Sequence, residues 1–200
     1  MFAHRPRSRY ARAMARDIIA DMVRHMVDGF SADVEALQVG VVDGRTPEAA
    51  RRVLASGLAY LAEPSDLISD DLAGIGIMDD AAILRLAARD AVAAGATDDA
   101  LRRLAGEAED LAYIFGDLVG KLEQMLGVLQ QPDAQGRTPF DTITDPGRRM
   151  ELWRQLNETR AVAGAHVHAA RNVDAAEFVR TMRQAIRRRL DGRDPNDRRR

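Results

Sequence analysis

Between Leu101 and Leu129, apolar residues recur in steps of three and four: Leu101, Leu104, Ala108, Leu111, Phe115, Leu118, Leu122, Met125 and Leu129. That spacing follows the turn of an α-helix and gathers these side chains into one stripe, which folding must cover with another helix. A second stripe runs through Met14, Ile18, Met22, Met26, Phe30, Val34 and Leu37, so a first helix is expected from about Ser8 into the thirties. Strand-like alternation of β-branched residues is nearly absent. Hydrophobic residues make up 46% of the chain but aromatics only 4%, so small and aliphatic side chains must build the core. The predicted fold is all-α, a bundle of about six or seven helices.

Turn and cap signals divide the chain further. Gly40 to Gly44 interrupts the first stripe, and Thr46-Pro47-Glu48 reads as an N-cap followed by proline at the first helical position of a second helix, reaching about Ala62. A short helix is expected from Pro64 to just before Gly74, where Gly74-Ile75-Gly76 permits a tight turn. Asp79 is then predicted to cap a helix that runs to Gly95. Thr97, with Asp98 and Asp99, is predicted to cap one long helix bearing the apolar seam, about four heptads unbroken.

The segment 131–146 carries three prolines and Gly136 and is the candidate hinge. Asp145-Pro146 opens a helix carrying Met150, Trp153, Leu156 and Val167. Asp174-Ala175-Ala176-Glu177, with Val173 before it, has the form of a capping box for a last helix through Phe178, Met182, Ile186 and Leu190. The expected organisation is a helical domain, 1–130, containing a motif unit at 46–95. A C-terminal helical pair, 147–190, packs on that domain or joins it through the hinge at 131–146, and 191–200 forms a disordered tail.

Charge is nearly balanced, with 31 acids against 29 bases, so the chain as a whole has no strong preference for polyanions. Its distribution is uneven. Glu63 to Asp110 holds twelve acids and four arginines, whereas the first sixteen residues hold five arginines and no acid, and from Arg183 onward eight arginines face three acids. With no cysteine there is no disulfide, thiolate nucleophile or Cys-ligated zinc. The arginine-rich start lacks the apolar core of a secretory signal and no stretch is apolar enough to span a membrane, so a cytoplasmic protein is expected. Asn157-Glu158-Thr159 is then a chance sequon.

The common catalytic signatures are missing. No Gly-x-Ser-x-Gly or His-Glu-x-x-His occurs. Gly116 to Lys121 is one residue short of a phosphate loop, with Leu122 where Ser or Thr belongs. His166 and His168, two apart on a predicted helix, point to different sides and cannot jointly grip a metal, and His25 lies alone on a Met-rich face.

One segment departs from generic helix composition: YLAEPSDLISDDLAGIGIMDDAA, from Tyr60 to Ala82. An aromatic-led helix end runs into Pro64, Asp66, Leu67, Ile68 and Asp70, then a short apolar turn with Gly76 and a closing Asp79-Asp80. In that arrangement it resembles the YkvA-like family of bacterial domains of unknown function. Ser69 stands where a second proline is usual, and Asp71 where an apolar residue is common. The resemblance implies a fold unit and no particular activity.

Asp66 and Asp70 are four residues apart on one helix face, and Asp79 and Asp80 begin the next helix across a tight turn, so four carboxylates can converge. Converging carboxylates require a hard cation such as Mg²⁺ or Ca²⁺, an arginine such as Arg85, or a raised pKa. Three functional readings follow. The leading one is a non-enzymatic helical structural or interaction module, its apolar seam covered inside the bundle or used for self-association or a protein partner. The second is a divalent-metal site at Asp66, Asp70, Asp79 and Asp80, serving an unrecognised hydrolytic reaction. The third is a weak, salt-sensitive binder of nucleic acid or anionic membrane through the arginine-rich ends.

Overall fold

A computed structural model describes residues 9–62, 67–68, 75–170 and 174–190, with the backbone alone at 9–16, 164–170 and 175. Of the short helix expected after Pro64, Leu67 and Ile68 are described and form a bend instead of helix, whereas its other residues, with Asp66, Asp70 and Gly74, lie outside the described residues, as do Val173 and the tail at 191–200. Among the described residues no strand occurs, and the all-α expectation holds. No described helix is long and apolar enough to cross a membrane.

The helices are α1 (Arg9–Val42), α2 (Glu48–Tyr60), α3 (Met78–Ala93), α4 (Asp99–Glu107), α5 (Leu111–Phe115), α6 (Val119–Leu129), α7 (Pro139–Thr144), α8 (Pro146–Ala170) and α9 (Ala175–Leu190). The centre of the bundle is α3. Its sequence is apolar nearly all round, the signature of a helix enclosed by others, and every residue from Met78 to Ala88 is buried. Around it pack α1, α2, α4 and α6, while α8 and α9 lie against α1.

Two glycines set how closely these helices approach. A Cβ on Gly57 of α2 would stand 2.7 Å from the Cβ of Ala87 on α3, so only hydrogen fits at this crossing. A Cβ on Gly40 would meet Leu101 and Leu54 side chains at 3.0 Å. Gly40 therefore does not end α1, as its composition suggested; it lies inside the helix, which continues to Val42. The second helix begins at Glu48, with Pro47 in the cap position and no side-chain cap, one residue later than expected from Thr46.

The seam from Leu101 to Leu129 is not one helix. Short 3₁₀ turns at Ala108–Asp110 and Gly116–Leu118 divide it into α4, α5 and α6, and Gly116 ends α5 at φ +62°, a conformation that residues with a Cβ resist. Spacing alone missed the breaks because each turn keeps the stripe facing inward. Leu101, Leu104, Ala108, Leu111, Phe115, Leu118 and Leu122 are all buried in the core, Met125 and Leu129 partly so, and Leu126 and Ile114 join them. The cap is Asp98, not Thr97: its carboxylate accepts from the amides of Ala100 and Leu101 at 2.9 and 3.1 Å.

The segment 131–146 is less irregular than its prolines suggest. Thr138 and Asp141 form a capping box that starts α7, and Phe140 and Ile143 are buried, with the guanidinium groups of Arg51 and Arg52 lying 5.2 and 4.8 Å from the Phe140 ring. On α8 Leu156 is buried and Trp153 partly so, as expected, with Leu152 and Ala163 also inward, whereas Met150 is 75% exposed against expectation. For α9 the Asp174 carboxylate accepts from the amides of Ala176 and Glu177, both at 3.0 Å, and Phe178, Met182 and Ile186 are buried as the pattern required.

Because Leu111 and Leu118 face the interior, Leu111→Asp combined with Leu118→Asp is expected to abolish the cooperative thermal transition. Each buried, unpaired charge costs several kcal/mol against a total stability of about 5–15 kcal/mol. A double variant that still melts like the parent would show that these residues are not core.

Candidate functional site

The motif places Tyr60 at the end of α2 and Asp79 in the first turn of α3, and the two side chains meet in the interior. The Tyr60 hydroxyl donates to Asp79 Oδ2 at 2.7 Å. The same oxygen accepts from the backbone amides of Leu67 at 3.0 Å and Ile68 at 3.2 Å, and the Leu67 amide also lies 3.3 Å from the Tyr60 oxygen. Leu67 and Ile68 are themselves buried, so their amides need an acceptor inside the protein. One carboxylate oxygen thus ties the end of α2, the residues after it and the start of α3.

Asp79 therefore does not cap its own helix. Ile77 occupies the cap position of α3 without a side-chain cap, and the Asp79 carboxylate reaches back across the turn. Its pKa is pushed up to about 6 by burial, against the hydrogen bonds from Tyr60, Ile68 and Leu67, which favour the ionised form. Burial likewise raises the pKa of Tyr60, and the negative charge of Asp79 raises it further. Asp80, beside Asp79, is also buried. Asp66 and Asp70 lie outside the described residues, so of the four candidate ligands the described structure contains Asp79 and Asp80. Among the described residues no three His, Asp or Glu side chains are grouped as metal ligands.

A second buried cluster lies farther along α3. Arg85, wholly enclosed, has its NH2 2.7 Å from Glu107 Oε2 and 3.1 Å from Asp33 Oδ2, its Nε donates to Glu107 Oε2 at 3.0 Å, and its NH1 donates to the Ala81 carbonyl at 3.0 Å. Arg103 closes a ring of alternating charge, donating to Asp33 Oδ1 and Glu107 Oε1, both at 2.7 Å. His25 Nε2 lies 3.1 Å from Glu107 Oε1 at the solvent edge. Partial burial raises the pKa of Glu107, yet His25, Arg85 and Arg103 together hold it below the usual carboxylate value. Arg85, expected as a partner for the acidic turn, is engaged here by Asp33 and Glu107.

Sequence reasoning passed over Asp33 although it sits among Phe30, Val34 and Leu37 on the stripe of α1, and over Arg85 as part of a cluster although Ile83, Leu84 and Leu86 surround it. A charged residue inside an apolar face was the available signal. His166 and His168 lie on α8, where the backbone alone is described.

The comparisons with known proteins agree with the position of the motif. The model of a family described as a protein of unknown function (DUF1232) matches residues 50–86, which span most of α2, the turn and the first half of α3, and so include Tyr60, Asp79 and Arg85. No curated protein and no solved structure matches the chain. The molecule is thus an all-α protein carrying a segment similar to a domain of unknown function.

Three tests follow from this geometry. Tyr60→Phe is expected to cost about 1–3 kcal/mol, since it removes a buried hydroxyl from a charged acceptor. The raised pKa of Asp79 contributes stability that is fully present below the unfolded value near 4 and is lost as pH rises through about 6. The melting difference between wild type and Asp79→Asn is therefore expected to shift in favour of wild type as pH falls from about 7 to about 4. A difference that stays flat across that range would mean Asp79 does not titrate there. For the ring, Arg85→Met is expected to cost about 3–5 kcal/mol by leaving Asp33 and Glu107 short of a cation. A loss under about 1 kcal/mol, read by chemical denaturation, would mean Arg103 alone satisfies both acids.

Proposed function

We propose that this chain is a non-enzymatic helical structural or interaction module of the YkvA-like kind, in which the acidic motif fastens helices instead of holding a substrate. The observation that supports this most directly is the employment of Asp79 Oδ2, which takes three donors from its own chain and has no face toward solvent. A catalytic carboxylate has to reach a reacting atom within hydrogen-bond distance, and an oxygen already surrounded by internal donors is not available to one. In the second cluster the buried Arg85 and Asp33 are likewise matched within the protein, with the partly buried Glu107 and the exposed Arg103 completing two guanidinium groups against two carboxylates. Both arrangements order helices around α3.

The rival reading is a divalent cation held by Asp66, Asp70, Asp79 and Asp80. Its support is Asp79 Oδ1, a buried oxygen with no hydrogen-bond partner among the described residues, next to a second buried carboxylate. A bound Mg²⁺ or Ca²⁺ would stabilise the folded state by mass action.

Thermal melting of wild type, Asp70→Ala and Asp80→Ala, each in EDTA and in millimolar Mg²⁺ or Ca²⁺, separates the two. On the structural reading wild type melts at the same temperature in every condition. A cation-dependent rise in wild type that both variants lose would replace the structural reading with the metal one.

A further inference from the structure

The most exposed aromatic ring among the described residues and a row of cations meet in a groove between α1, α5 and α9. Its volume is about 420 Å³, and its lining includes Ile19, Tyr113, Val179, Arg180, Arg183 and Arg187. Tyr113 is 65% exposed, although its neighbours Leu111, Ile114 and Phe115 are buried. The three arginines are spaced i, i+3 and i+7 on α9, so they share one face at separations of about 4.5 and 6 Å along the axis. From this pairing of an arginine row with an open aromatic platform we infer that the groove binds single-stranded nucleic acid, phosphates along α9 and a base stacked on Tyr113. The inference takes the interaction-module reading as its starting point and names the partner.

The arginines differ in what holds them. Arg183 is fixed: its Nε donates to the Ile114 carbonyl at 2.7 Å and its NH2 to the Tyr113 carbonyl at 2.9 Å, and a Cβ on Gly116 would come within 3.4 Å of the guanidinium. It closes the carbonyl end of α5 and anchors the wall of the groove beside Tyr113. Burial lowers its pKa and the neighbouring Arg187 lowers it further, against the opposing charge of Asp117. Arg180 and Arg187 meet Glu177 at 3.4 Å and Asp117 at 2.7 Å, both in exposed pairs that are worth little and exchange readily for phosphate oxygens.

A strand fits this surface better than a lipid bilayer does. An interfacial helix must offer its apolar face to the membrane, but Phe178, Met182 and Ile186 of α9 are committed to the core. What remains is a groove lined by three arginines with an exposed aromatic beside them, and such surfaces track phosphodiesters while bases stack without sequence preference.

Fluorescence anisotropy of a labelled oligothymidine with the full chain tests this. Binding is expected at about 50 mM salt, with log K falling against log salt at a slope near −2 for three phosphates. Arg180→Ala with Arg187→Ala should bring the slope to about −0.7. Tyr113→Ala should weaken binding by about five- to a hundredfold, while Tyr113→Phe binds like wild type. Tyr113 is exposed, so its variants keep the fold even where the arginine pair does not, and melting curves verify this. No binding at low salt, binding that neither set of variants changes, or binding to anionic phosphatidylglycerol vesicles in place of the oligonucleotide would each overturn the inference. Any of these outcomes leaves the cation-dependence of melting, and hence the structural reading of the motif, as it stands.

Discussion

Arg85 has no access to water, and three helices take their positions from the need to neutralise it. Removing a guanidinium from water costs several kcal/mol, which only close carboxylates and hydrogen bonds offset. Asp33 supplies one from α1 and Glu107 another from α4, while Arg103 balances the second negative charge. Four groups on three helices form a closed ring, so a shift of any one helix by a fraction of an ångström lengthens at least two contacts. Apolar packing alone tolerates sliding, because one leucine serves nearly as well as the next. The charged ring does not, and it fixes the register of α1, α3 and α4 against one another.

The staple at Tyr60 and Asp79 solves a different problem at the other end of α3. The amides of Leu67 and Ile68 are buried where no helix continues, and unpaired amides in the interior are costly. A single carboxylate oxygen meets both and is oriented in turn by the Tyr60 hydroxyl. Position and chemistry are linked here: Tyr60 must end α2 and Asp79 must begin α3 for one oxygen to reach all the donors. This accounts for aromatic and acid standing at opposite ends of the motif, without appeal to a ligand.

The helices were legible because burial imposes a period, and the stripes of α1 from Met22 to Leu37, of α4 to α6 and of α9 from Phe178 to Ile186 followed it, whereas Ile18 and Leu190 are exposed. What periodicity cannot register is a break that preserves facing. The 3₁₀ turns around Ala108 and Gly116 keep Leu111 and Leu118 inward, so the stripe reads on through a chain that is no longer one helix. Gly40 failed for the converse reason: glycine reads as a terminator, but its role is to admit Leu54 and Leu101 against α1. The acidic motif was legible as a group, yet the role of Asp79 was not. Capping is a local rule, whereas its real donors sit eleven, twelve and nineteen residues away.

The charged ring was the least legible feature, since Asp33 and Glu107 are 74 residues apart and no local pattern joins them. Asp33 and Arg85 each interrupt an apolar face, but Arg103 and Glu107 alone resemble ordinary surface charges on an amphipathic helix. Only the enclosure of α3 distinguishes Arg85, and that enclosure is itself written in its apolar neighbours. Within the enclosed stretch from Met78 to Ala88 a long cation has nowhere to go except inward, so the partners of Arg85 come from the covering helices, whereas Arg89, one turn later, reaches the exposed Glu123. The same reasoning applied to Tyr113 runs in the opposite direction. Tyr113 is left outside beside Arg180 and Arg187, which pair only with exposed acids, while Arg183 closes the carbonyl end of α5, and the ring and the three arginines together mark the groove along α9.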